Sequence, residues 1–332
     1  MPLDLVIPDL LLPPDAPASL REARLAHAER WLARADFEDF EAGGPRAWIA
    51  ARYGLAAPVP VAPIALAGEG EEAGGDWICA DPVHLRIERD ATVLHDASAL
   101  GLDRAEADAL VASLQAHFAQ DGLEMRAPSP GRWYARVPAG ELPRTVALDA
   151  AVGRNVFGML PEGGARIRWR AALTEAQMVM AAHEVNARRE PARPAVNSVW
   201  FWGEGTLPAS LPGAYHRVLA DDVFARGLGR LSGAEARALP ESMDAVLASP
   251  GQATLVVLDG LTPALRSGDT SRWLSAAAAI DRAWFEAIPR ALAAHDAVRI
   301  VLPGDRRTRV ATLGRRARWR LLRARKPLSA HA

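Results

Sequence analysis

Three aspartates stand just after short apolar runs: Asp9 follows LDLVIP, Asp259 follows ATLVVL and Asp305 follows AVRIVLPG. Carboxylates so placed can coordinate a divalent cation or simply cap the helix that comes next. Spacing alone does not choose between these roles. The histidines give no metal signature, because His84, His95, His183 and His216 are scattered and none recurs as His-x-x-x-His. The one cysteine, Cys79, leaves no partner for an internal disulfide and excludes a cysteine-based zinc site, as expected for a reducing compartment.

The elements that must carry those aspartates read as β-strands separated by helical stretches, which predicts an α/β core with a mainly parallel sheet. Ligand sites on such sheets lie at the carboxyl ends of the strands, where Asp9, Asp259 and Asp305 would fall. Between the last two runs, Trp273, Ala277, Ile280, Trp284 and Ala287 recur at helical spacing and predict one face packed on the sheet, with Pro289 bending the last turn.

A Pro-, Gly- and Glu-rich stretch, APVPVAPIALAGEGEEAGG (57–75), reads as a boundary. Beyond it come a strand-like WICADPVHLRIE, a helix signalled by Asp103 as N-cap with Glu106 completing a capping box, and a strand-like MRAPSPGRWYARV. The expected organisation is a core from residues 1–75 and 196–330 with an α+β module, 76–195, inserted into it. The run VNSVWFWGEGTLP (196–208) reads as a strand that ends in a glycine turn, its rings anchoring the junction of insert and core.

Composition is that of a soluble globular chain, 50% apolar and 24% charged. No window approaches the roughly 18 uncharged apolar residues of a membrane span, and MPLDLVIPDL lacks the basic region and cleavage site of a signal peptide, so a cytoplasmic protein is expected. Charge is unevenly spread: residues 1–110 hold 9 Arg and 20 acidic residues, the remainder 30 Lys and Arg against 20. Residues 304–326 alone carry ten Arg or Lys against one Asp, with Trp319, Leu321 and Leu322 among them. A segment of that kind is either a contact for an anionic surface, placed at 306–326, or a solvated stretch lying over the acidic first third.

Taken together, NSVWFWGEGTLP (197–208), HEVNARRE (183–190), the module from Trp77 to Val137 and SGDTSRWLSAAAAIDRAWFEAI resemble the archaeal-type cofactor-independent phosphoglycerate mutases of the alkaline phosphatase superfamily. ADPVHLR, GRWYARV and NSVWFWG together resemble the RpfE-type bacterial regulatory proteins, divergent relatives of those mutases. The resemblance implies an alkaline-phosphatase-like α/β core with an inserted α+β domain. For an active member it implies two divalent metals, such as manganese, held by Asp and His, and a serine that carries the phosphoryl group.

Against that pattern, Asp9 and Asp305 remain as vestigial metal candidates. The family's Asp-His pair reads Asp305-Arg306, its Gly-His-x-Gly-Asp turn reads Arg266-Ser267-Gly268-Asp269, and GGPRAWIAARYG (43–54), near the expected nucleophile, holds no Ser or Thr. Substrate-contact segments are altered as well: Cys79-Ala80-Asp81, Gly131-Arg132-Trp133-Tyr134-Ala135 and Gly153-Arg154-Asn155 stand at the matched places. Candidate ligand-binding residues are therefore Asp81, Arg86, Arg132, Arg154, Asn197 and Trp200. The expectation is a non-catalytic regulatory or binding protein that needs no cofactor and takes a small anionic ligand or a protein partner. The alternative is a metal-dependent phosphomutase or phosphohydrolase with relocated ligands.

Overall fold

The computed structural model of the chain describes residues 1–13, 16–41, 43–163, 169–189, 193–304, 306–320 and 323–331. In chain order its strands are β1 (Pro2–Val6), β2 (Asp36–Glu41), β3 (Asp76–Ile87), β4 (Thr92–His95), β5 (Glu124–Ser129), β6 (Arg132–Val137), β7 (Ser198–Thr206), β8 (Arg217–Leu219), β9 (Glu235–Arg237), β10 (Thr254–Val257), β11 (Ala297–Pro303) and β12 (Arg307–Gly314). The chain divides into two compact units, residues 1–57 with 210–332, and residues 58–209.

The first unit is built on a seven-stranded sheet in the order β2-β12-β11-β1-β10-β8-β9. The pairings from β11 through β9 are parallel, whereas β12 runs antiparallel to β11 and β2 antiparallel to β12. The three apolar runs with terminal aspartates are β1, β10 and β11, and each is buried because a parallel sheet is covered on both faces. Leu3, Leu5 and Ile7 enter a core that also takes Trp31, Trp273, Trp284 and Phe285. On the other face Asp4 is fully buried; Arg299, its register partner on β11, donates to both of its oxygens at 2.5 Å, and the Tyr215 hydroxyl donates to it as well.

The long helical stretch after Asp269 buries the expected face, but it is not one helix. It runs as Thr270–Ile280, a π-helical turn Asp281–Phe285, and Ile288–Ala294 with Pro289 in the first turn of that last piece. The wide turn brings buried Asp281 to the start of the helix Ala26–Leu32, where its carboxylate accepts from the backbone N–H groups of His27 (3.2 Å) and Ala28 (2.7 Å). A cap that the local sequence of that helix lacks is thus supplied from another helix.

The second unit contains a five-stranded sheet in which β3 is the hub, pairing antiparallel with β4, β6 and β7, while β5 pairs with β6. The helix Arg104–Phe118 starts with the capping box formed by Asp103 and Glu106 and buries Ala107, Leu110, Val111, Leu114 and Phe118. Two details differ from the sequence reading. The Trp200 strand, assigned above to the core, belongs with the second unit because seven of its residues pair with β3. Its glycines also do not form a turn: β7 continues through them, and they serve close approach, since a Cβ on Gly203 would meet the Val61 Cβ at 2.9 Å and one on Gly205 would collide with Pro60.

Candidate functional site

The carboxyl ends of the first unit's parallel strands gather aspartates. Asp9 follows β1, Asp221 and Asp222 follow β8, and Asp259 follows β10, all on neighbouring strands of one sheet edge. Asp305, expected beside them after β11, lies outside the described residues.

Four carboxylates here have local duties. Asp9 sits in the left-handed region at φ 60°, and its Oδ2 accepts from the Thr262 hydroxyl at 2.5 Å while its carbonyl accepts from the Trp273 indole at 3.2 Å. Asp222 is the N-cap of the helix Val223–Leu231, accepting from the Ala225 N–H at 2.8 Å. Asp221 accepts from the Leu239 N–H at 3.2 Å, fixing the chain after β9. Asp269, in the Gly-Asp turn, caps the helix Thr270–Ile280 by accepting from the Arg272 N–H at 2.9 Å.

Asp259 is different. Burial, and then the negative charges of Asp222 and Asp221, push its carboxyl up to about 6, with Arg46 opposing the shift. Like charges at short range and partial desolvation both favour the neutral acid, so Asp259 can hold a proton in a range where an ordinary aspartate is ionised. Among the described residues, no three His, Cys, Asp or Glu side chains come together in a group that could hold a metal ion.

The six candidates of the second unit fall in two places. Asp81, Arg132 and Trp200 share the stretch where β3 lies between β6 and β7. Buried Asp81 accepts from the Trp133 N–H (3.0 Å) and the Trp202 indole (2.8 Å), Arg132 forks onto Glu69 at 2.5 and 3.3 Å, and the Trp200 indole donates to the Val146 carbonyl at 2.9 Å. Arg86 and Asn197 sit instead near the β3–β4 pairing. Arg86 pairs with Glu88 at 2.5 Å, and the Asn197 amide exchanges two hydrogen bonds with the backbone of Leu85. Arg154 is exposed on the loop beside β4, where its carbonyl accepts from the Leu94 N–H.

Sequence reading missed Asp221, Asp222 and Arg46. The signal that could have found the first two is the pair Asp221-Asp222 between VLA and VFARGLGRL, but β8 is only three residues long and too short to announce itself.

No family profile matches the chain. A solved structure, the PH0037 protein of Pyrococcus horikoshii, shares the fold: TM-score 0.56 at 14% identity, covering 94% of this chain and 87% of that one. The cofactor-independent phosphoglycerate mutase of Thermoplasma acidophilum aligns over 94% of this chain and 89% of its own at 16% identity, TM-score 0.48. A probable 2,3-bisphosphoglycerate-independent phosphoglycerate mutase of Geobacter sulfurreducens is 27% identical over 153 residues, which cover 44% of this chain and 38% of that protein. The fold is that of the PH0037 protein, and the sequence likeness to a phosphoglycerate mutase covers under half of the chain. The match spans under two-fifths of that curated relative, so its activity does not transfer with the likeness. Among the described residues no helix is long and apolar enough to cross a membrane.

Proposed function

We propose that this protein is a non-catalytic binding or regulatory module on a phosphoglycerate-mutase-like scaffold, of the RpfE type, taking a small anionic ligand or a protein partner. The observation that carries this reading is the commitment of the strand-end carboxylates. Asp9, Asp221, Asp222 and Asp269 each accept a hydrogen bond that shapes the local chain, so each carries a structural duty. At the positions matching the family's two histidines stand Arg306 and Arg266, neither of them a suitable ligand. Among the described residues the donor set does not fit a pair of divalent metals.

A second reading, phosphoryl transfer with relocated ligands, is favoured by one observation, the raised carboxyl of Asp259 beside Asp221 and Asp222. One experiment separates the two. Purified protein is assayed for interconversion of 2- and 3-phosphoglycerate with and without manganese, and its metal content is measured. Our reading expects no turnover and no stoichiometric metal; manganese-dependent turnover abolished by Asp259→Asn establishes the second.

A further inference from the structure

Among the described residues, the first unit carries a group of cations that no acid answers. The helix Ala26–Leu32 ends in Arg30 and is followed by Arg34, and both guanidinium groups lie against the Trp31 ring, at 5.5 and 5.1 Å from its centroid. Arg34 is only 7% exposed, and among the described residues its sole side-chain hydrogen-bond partner is the Arg318 carbonyl at 3.5 Å. The Nε of Arg30 is buried without a partner. Arg325 lies close enough for its charge, with that of Arg30, to act on Arg34.

The nearby carboxylates are already taken. Arg320 and Arg323 share Asp36, at 2.6 and 3.6 Å, and Arg24 forks onto Glu29 at 2.8 and 2.9 Å. Among the described residues, Arg30, Arg34 and Arg325 form no ion pair. A nearly buried guanidinium costs several kcal/mol unless something negative faces it, and three cations in one place raise that cost.

We propose that Arg30 and Arg34, with the charge of Arg325 nearby, form a binding site for a phosphate-type oxyanion. Guanidinium groups present paired N–H donors at the spacing of phosphate oxygens, and a doubly charged anion would answer both the unmet donors and the mutual repulsion. The site lies far along the sheet from the strand-end aspartates: Arg318, whose carbonyl Arg34 meets, is in the turn after β12, and the last residue of β12, Gly314, pairs with the first of β11, Ala297. It is therefore independent of the function proposed above. Exposed Trp319, with the Arg318 guanidinium 5.3 Å from its ring centroid, stands on the same turn, so the oxyanion could be free phosphate or the headgroup of an anionic lipid.

The test is calorimetric titration of the full chain with inorganic phosphate at fixed ionic strength, beside co-sedimentation with vesicles containing phosphatidylglycerol. Arg30→Gln and Arg325→Gln are the variants, with circular dichroism confirming that they fold. Loss of one charge-assisted contact should weaken binding by at least about tenfold. Phosphate binding weakened in both variants assigns the site to a free oxyanion. Vesicle binding weakened in both, without phosphate binding, assigns it to a headgroup. Binding of either probe unchanged in the variants, or binding of neither by the parent chain, overturns the proposal.

Discussion

The two ends of the seven-stranded sheet hold opposite charge and treat it differently. At the carboxyl ends of β1, β8 and β10, aspartates crowd together, yet all but Asp259 are absorbed as caps and loop ties. At the other end, Arg30, Arg34 and Arg318 lie against Trp31 and Trp319, and among the described residues no acid pairs with them. Between the two, Asp4 and Arg299 show what full compensation looks like: opposite charges in register on adjacent strands, with a tyrosine hydroxyl completing the set. A buried charge is stable where its partner is fixed by the same sheet. Where it is not, the charge reports on what else must come.

The largest expected effect is at the compensated centre. Asp4→Ala leaves the Arg299 guanidinium and the Tyr215 hydroxyl inside the protein without their acceptor and should cost about 3–5 kcal/mol, read from urea denaturation. At the acidic end, Asp259→Asn should do the reverse. A carboxyl raised to about 6 takes up its proton more readily folded than unfolded, so stability falls as pH rises from about 4 to about 6 and stays reduced above that. The asparagine variant should therefore be more stable by about 2 kcal/mol at pH 7.5 and indistinguishable at pH 4; equal stability at both values would remove Asp259 from the cluster. Asp222→Ala removes only a cap and should cost about 1 kcal/mol at either pH.

The remaining effect is the mirror image. His295 and His331 are buried, burial being the main cause that pushes each below the usual histidine range, and cations add to it: the N-terminal amine and Arg217 near His295, Arg309 and Lys326 near His331. Depressed histidines stay neutral when folded, so stability is full above about pH 6.5 and declines below it as the unfolded chain takes up protons, by at most about 1.4 kcal/mol per pH unit for each group. His295→Gln with His331→Gln should flatten that decline while leaving the opposing Asp259 slope in place.

Much of the scaffold was legible because it rests on local or periodic signals. Apolar runs gave β1, β10 and β11, and the Asp103 and Glu106 spacing gave a cap that the structure contains. What was not legible depends on residues far apart. Nothing near Ala26 announces that Asp281 will cap its helix, and nothing in the glycines of β7 says that Pro60 and Val61 will press on them. The basic tail shows both sides. Its charge was plain, but among the described residues five of its ten cations have acidic partners, Arg307 and Arg309 in Asp39, Arg320 and Arg323 in Asp36, and Arg315 in Asp296. His331 stacks on Phe37 of the same acidic strand, β2. The strand-end site was half legible, its aspartates placed by topology and their uses settled only by hydrogen bonds.

The π-helical turn at Asp281–Phe285 acts as a phase shifter. A wide turn of this kind amounts to one additional residue in an α-helix, and each residue of an α-helix advances the direction of the next side chain by about 100°. Excising one residue there would leave a regular helix, good by every local measure, with the segments on its two sides out of step. Either Trp273 and Ala277 would face the sheet, or Phe285, Ile288 and Leu292 would, but not both sets, and Asp281 would swing away from the backbone it caps. A homologue lacking that residue would have to redraw the apolar pattern of one half of the stretch, so a length difference of one at this point should be accompanied by a shift in hydrophobic phase.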